Sequence, residues 1–140
     1  EMAKIQGHCT ANACSISQAA AIEALNGPQD SVEFMRKEFE LRRNYFHSEL
    51  SSIKGITCTK PQGAFYLFPN ISYYFGKSSN TLKIESSFDL AMYLLNEAKV
   101  AVVPGSSFGA EGYIRLSYST SMENLKEGIA RIKAALSKLK

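Results

Sequence analysis

Arg115 is the only charged side chain between Glu111 and Glu123, and it is set among Tyr113, Ile114, Leu116 and Tyr118. A guanidinium stays charged at neutral pH and presents a planar fork of N–H donors that meets a carboxylate at two points. The chemistry on offer is carboxylate anchoring. Read as a strand, residues 113–119 alternate: Ile114, Leu116 and Tyr118 share one side, and Tyr113, Arg115, Ser117 and Ser119 share the other. From the residues alone two other readings stay open, an arginine on a plain exposed sheet face or one paired internally with Glu111 or Asp89.

The remaining chemistry-bearing types are less organised. Gly105, Ser106, Ser107, Gly109 and Gly112 have the composition of an anion cradle. No strand-to-helix glycine pattern surrounds them, however, so turn chemistry is expected there rather than phosphate binding. Gly63 reads as a turn residue. His8 adjoins Cys9, but no second close pair of ligands follows, so no metal site is expected. The odd count of three cysteines, Cys9, Cys14 and Cys58, is most simply read as reduced thiols. No nucleophile elbow is present, and Glu33, Glu38, Glu40 and Glu49 lie on a helix whose charged face needs no function.

The elements that must position Arg115 follow from periodicity and punctuation. Residues 15–25 are alanine-rich and stop at Asn26-Gly27-Pro28, with a left-handed glycine cap expected. A second helix begins at Asp30 or Ser31 and runs to Ile53, with Val32, Met35, Phe39, Phe46, Leu50 and Ile53 as its apolar face. Residues 56–59 and 64–68 read as a hairpin, and residues 73–85, including Asn80, as a surface excursion. Ser86 or Ser87 caps a helix through about Ala98 with Phe88, Ala91, Leu95 and Ala98 in one stripe. Residues 100–103 and 113–119 read as strands, and Thr120 with Glu123 as the capping box of a last helix buried through Leu125, Ile129, Ile132, Leu136 and Leu139. The fold class is α/β, an α+β-like two-layer arrangement: a small mixed sheet of about four strands with helices on one face. Arg115 falls on the face that these helices leave open.

Composition bounds the rest. A chain of 140 residues with 45% hydrophobic content is long enough for one sizeable core. A net charge of +3, spread along the sequence, argues against nucleic-acid or membrane-surface partners. No apolar run approaches the ~20 residues of a bilayer span, and a cytoplasmic location is the default expectation.

Three phrases stand in order: Pro61-Gln62-Gly63-Ala64-Phe65-Tyr66-Leu67-Phe68-Pro69, Val102-Val103-Pro104-Gly105-Ser106-Ser107-Phe108-Gly109 and Tyr113-Ile114-Arg115-Leu116-Ser117-Tyr118-Ser119. Together they resemble the C-terminal small domain of class I aminotransferases, the fold type I pyridoxal-phosphate enzymes that include aspartate aminotransferase. The resemblance runs from about Lys4 to Leu136. It implies that residues 1–27 form a helical segment bordering the family's large domain and that residues 28–140 form the small domain. It implies that Arg115, in the family's R-L-S-Y phrase, binds the substrate α-carboxylate, and that Phe108 is a candidate apolar wall of the pocket.

Thr10-Ala11-Asn12-Ala13-Cys14-Ser15 looks like the family's Ser-Asn-x-x-Ser segment but departs from it at Thr10 and Ala11. A plain turn leading into a helix is the expectation there. None of the eleven lysines lies in the family's Ser-Lys phrase with its nearby glycines and arginine, so no catalytic or cofactor-binding residue is assigned in this chain. The resemblance implies pyridoxal phosphate in the parent enzyme and none held by this chain alone. The implied partners are amino-acid and 2-oxo acid substrates, the large domain, and a second copy in a homodimer. Alternatives are another enzyme of the same scaffold, an aromatic aminotransferase or a lyase, and a free-standing non-catalytic α/β module that binds carboxylates or a protein.

Overall fold

The computed structural model describes residues 1–10, 12–79 and 82–140, which divide into two compact units, Glu1–Met35 and Arg36–Lys140. The first unit holds α1 (Met2–Cys9), α2 (Ser15–Asn26) and the start of α3 (Asp30–Ser51). Helix α1 is not one of the individual helices read from periodicity, where residues 1–27 are expected only as a helical segment. Helix α2 forms as its alanines predict, but Gly27 caps it in an extended conformation, φ −76° and ψ −178°, rather than a left-handed one. Pro28 is what forbids continuation. No residue of α1 or α2 is buried, and Ile5, Ile16, Ile22, Leu25, Val32 and Phe34 are all exposed. The expected turn over residues 10–15 includes Ala11, which lies outside the described residues.

The second unit is a two-layer α/β domain, as expected. Its order after α3 is β1 (Tyr66–Leu67), a 3-10 turn (Ser72–Tyr74), α4 (Ser87–Tyr93) and a π turn (Leu94–Ala98). There follow β2 (Val103–Pro104), a second 3-10 turn (Gly105–Phe108), β3 (Ile114–Ser117) and α5 (Met122–Leu136). The sheet corrects the expectation in two respects, since among the described residues it has three strands rather than about four and its pairs are antiparallel, in the order β1-β3-β2. The hairpin expected between residues 56–59 and 64–68 shrinks to a single bridge between Thr57 and Asn70. Segment 64–68 instead pairs across space with β3, Tyr66 opposite Ser117 and Leu67 opposite Leu116.

The core lies between this sheet and the helices. Phe46 and Leu50 of α3, Leu90 of α4, Leu94, and Leu125, Ile129, Ile132 and Leu136 of α5 meet Leu67, Ile114 and Leu116 of the strands. Helix α5 buries the face its sequence predicts, and its cap is Ser121, whose hydroxyl accepts from the Asn124 amide, in place of Thr120. The Thr120 hydroxyl accepts from the Asn124 side chain at 2.9 Å. The apolar face of α3 is buried only at Phe46 and Leu50, while Val32 and Met35 are exposed.

Helix α4 departs from its predicted stripe. Leu90, Ala91, Leu94 and Ala98 are buried, but Phe88 is 57% exposed and Leu95 43% exposed. The buried positions Ser87, Leu90, Ala91, Leu94 and Ala98 keep a helical spacing of their own, so the face that packs lies round the helix from the expected stripe. Segment 73–85 is not wholly a surface excursion either, since Tyr74 and Ile84 belong to the core; Asn80 lies outside the described residues.

The N-terminus of α4 is closed reciprocally. The Asp89 amide donates to the Ser86 hydroxyl at 3.1 Å, and the Asp89 carboxylate accepts from the Ser86 hydroxyl at 2.8 Å and the Glu85 amide at 3.0 Å. The Ser86 hydroxyl, aided by the backbone amides of Glu85 and Ser86, holds the Asp89 carboxyl below its ordinary range. A depressed carboxylate contributes stability above its unfolded pKa and loses it as pH falls through the lower folded value. Asp89→Asn, which keeps an acceptor but no charge, should therefore flatten the stability profile below about pH 4. Urea midpoints of both proteins across that range check this, and parallel profiles would refute it.

Candidate functional site

Strand β3 places Arg115 as the alternation predicts. Ile114, Leu116 and Tyr118 are 3%, 4% and 2% exposed, whereas Arg115 is half-buried and Ser117 exposed. Val103 of β2 stands directly opposite Arg115. The guanidinium carbon lies 4.4 Å from the Tyr66 ring centroid and 4.8 Å from that of Phe108. Phe108 packs edge-on against Phe68 at 6.0 Å, and Phe68 stacks on Tyr113 at 5.0 Å. Two aromatic rings thus flank one cation on the sheet face that the helices leave open, and Phe68 and Tyr113 extend the cluster.

Two local devices build this arrangement. Gly105 opens the turn that carries Phe108, its amide donating to Tyr113 O at 2.8 Å and its carbonyl accepting from Ala110 at 3.0 Å. A Cβ at Gly105 would collide with the carbonyl oxygens of Ala110 and Tyr113, so only glycine fits. On the other side, Tyr118 reaches across its own strand's end, its hydroxyl donating to Ala64 O at 2.7 Å while its amide donates to Phe65 O at 2.9 Å. Ala64 has φ +58°, a left-handed conformation that costs a non-glycine residue roughly 1–2 kcal/mol. The bond from Tyr118 helps to hold it there, and burial pushes the Tyr118 phenol above its ordinary value. Tyr118→Phe should lower stability by about 1 kcal/mol, read from chemical denaturation. No change would mean that the bond is replaced by water.

The internal pairings that remained open for Arg115 are not made. Glu111 is turned away, its Oε1 accepting from the Ser87 amide at 2.5 Å, and Asp89 is occupied by Ser86 and Glu85. Among the described residues no carboxylate pairs with Arg115. A cation flanked by rings and lacking a described counterion has the chemistry to meet a carboxylate: the rings shed water from its faces and leave the edge donors open.

Phe108, expected as an apolar wall, stands against Arg115. The sequence reading does not single out Tyr66, Phe68 or Ser87. For the first two a signal was present, since alternation along residues 64–68 puts Tyr66 and Phe68 on the side opposite Leu67. Only the strand register shows that this side is Arg115's. No three metal-ligating side chains cluster among the described residues.

Pyridoxal phosphate chemistry needs a primary amine for the aldehyde and an acid for the ring nitrogen. The residues gathered at Arg115 provide neither. Lysines with defined contacts are engaged elsewhere: Lys133 with Glu49, Lys83 with Glu85, Lys99 with the Asn96 carbonyl and Lys77 over Tyr73. These side chains do not by themselves fit that cofactor.

Comparison with known proteins agrees with this geometry. The family model described as aminotransferase class I and II matches residues 1–132. The Rickettsia felis protein named "Probable aspartate/prephenate aminotransferase" is 52% identical over 135 residues, which cover 96% of this chain and 33% of that protein. The aspartate aminotransferase of Bacillus sp. strain YM-2 is 49% identical over 131 residues, covering 94% of this chain and 32% of its own length. Among solved structures, the aspartate aminotransferase of Rhizobium meliloti superposes with a TM-score of 0.94 at 43% identity, over 99% of this chain and 35% of that one. The chain spans about a third of the length of the curated relatives it matches. With a family match over nearly its whole length and a fold shared almost completely with a solved member, the chain belongs to the class I and II aminotransferases.

Proposed function

We propose that this chain is the C-terminal portion of a pyridoxal-phosphate-dependent aminotransferase, similar to aspartate aminotransferase, that transfers an amino group between an amino acid and a 2-oxo acid. Arg115 binds the substrate α-carboxylate. The observation that carries this reading is the Arg115 guanidinium itself, flanked by Tyr66 and Phe108 and paired with no described carboxylate. Its contribution is positional. Two parallel N–H···O bonds fix the plane of the carboxylate and with it the direction of the Cα–H bond, so that little orientational entropy remains to be lost at the reacting carbon. Phe108 forms the apolar wall beside the anchored group and keeps water from competing for the guanidinium.

The cofactor amine and acid are supplied by a large domain of the same protein. Residues 1–27 border that domain and residues 28–140 form the small domain. The exposed apolar side chains of α1 and α2 support such a border. The parent enzyme is a cytoplasmic homodimer in this reading; no helix among the described residues is long and apolar enough to cross a membrane. The test is exchange of Arg115 in the full-length protein, read as transamination of L-aspartate with 2-oxoglutarate. A free-standing carboxylate-binding module would bind the acids and show no turnover with any partner segment.

A further inference from the structure

We propose that Ser87 is a positioning residue for Arg115, acting through the turn that carries Phe108. This rests on the α-carboxylate reading of Arg115. Ser87 is the fully buried polar side chain of the described residues. Its hydroxyl accepts from the Ser106 amide at 3.1 Å, and its own amide donates to Glu111 Oε1 at 2.5 Å. Ser106 and Glu111 lie on either side of Phe108, so the first turn of α4 holds the Phe108 turn at both ends.

Between those ties the turn closes on itself. Gly109 N donates to Ser106 O at 3.1 Å, and Gly109 ends the turn with φ +69°. The position of the Phe108 ring over Arg115 is thereby set by α4 and not by the loop alone. The Ser87 hydroxyl is free for this task because helix capping is done by its neighbour: Ser86, not Ser87, accepts from the Asp89 amide. Alanine at position 87 removes the acceptor of the part-buried hydrogen bond from the Ser106 amide, and an amide left without its partner is costly. The turn then shifts to regain water, and the ring leaves the guanidinium.

The experiment uses the holoenzyme containing this chain. Ser87→Ala should raise KM for the amino acid, and the inhibition constant of a non-reacting dicarboxylate, about five- to tenfold while kcat stays within about twofold. It should also move the Arg115 Nε–H resonance in the direction produced by Phe108→Leu, a ring-current signature that a merely structural defect would not produce. Glu111→Ala should copy Ser87→Ala, and Glu111→Gln, which keeps the acceptor oxygen, should restore wild-type values. Glu111 is exposed, so this pair decides the question even if Ser87→Ala does not fold. If Arg115→Ala leaves KM unchanged, the carboxylate reading falls and the proposal with it. If Arg115→Ala is impaired while the Ser87 and Glu111 variants keep wild-type KM and resonance, the positioning role alone is overturned.

Discussion

Arg115→Ala in the full-length enzyme is expected to lower kcat/KM for amino-acid substrates roughly a hundredfold to ten-thousandfold, because two charge-assisted hydrogen bonds of about 1.5–3 kcal/mol each are removed. Cofactor loading should stay near wild type, since Arg115 stands among Tyr66, Phe68, Phe108 and Tyr113 and the site has no amine or acid for the cofactor. Arg115→Lys should also be impaired, by about tenfold or more, as a point charge keeps one bond and loses the fork. The lysine ammonium is also more strongly hydrated, so the flanking rings suit it less well. Steady-state kinetics with the cofactor absorbance measured in parallel decide the matter. Unchanged kinetics in both variants would remove Arg115 from the substrate site.

Gly105→Ala should produce the largest loss of stability at the site, about 3 kcal/mol, which for a domain of this size is roughly 10 °C in Tm. The added Cβ meets backbone oxygens of Ala110 and Tyr113, which cannot swing aside as the end of a side chain could. Relief requires moving either the Phe108 turn or the start of β3, and either movement disturbs the rings at Arg115. Gly63→Ala is the control. Nothing lies within 4 Å of a Cβ there, so calorimetry should show that variant close to wild type. Equal Tm values for the two variants would mean that the turn yields freely.

Much of this site was legible in the sequence because a strand's side chains alternate whatever its partners are. Ile114, Leu116 and Tyr118 could only go inward if Arg115 stayed on the open face, and they do. The stripe of α5 was legible for the same kind of reason. Three features were not. Strands of two residues, such as β1 and β2, leave no period to read, and their existence depends on pairing with β3. The apolar residues of α2 and of the start of α3 give the same pattern whether their cover lies in this chain or elsewhere, so Val32 and Met35 were expected inside and are exposed. The hydrogen bonds of Ser87 join segments about twenty residues apart, and no local pattern announces them.

The π turn at Leu94–Ala98 closes helix α4 with a wider loop than an α-helical turn. One residue more than an α-helix needs is taken up in that turn, and each residue of an α-helix advances the chain by about 100°. Lys99 then leaves the helix in a left-handed conformation, φ 56°, and residues 100–102 carry the chain to Val103, opposite Arg115. The aim of the strand is thus set by the helix end and the connecting residues together. Within the family, a relative that lacks one residue between Tyr93 and Val103 would have to make up the difference in this connecting segment.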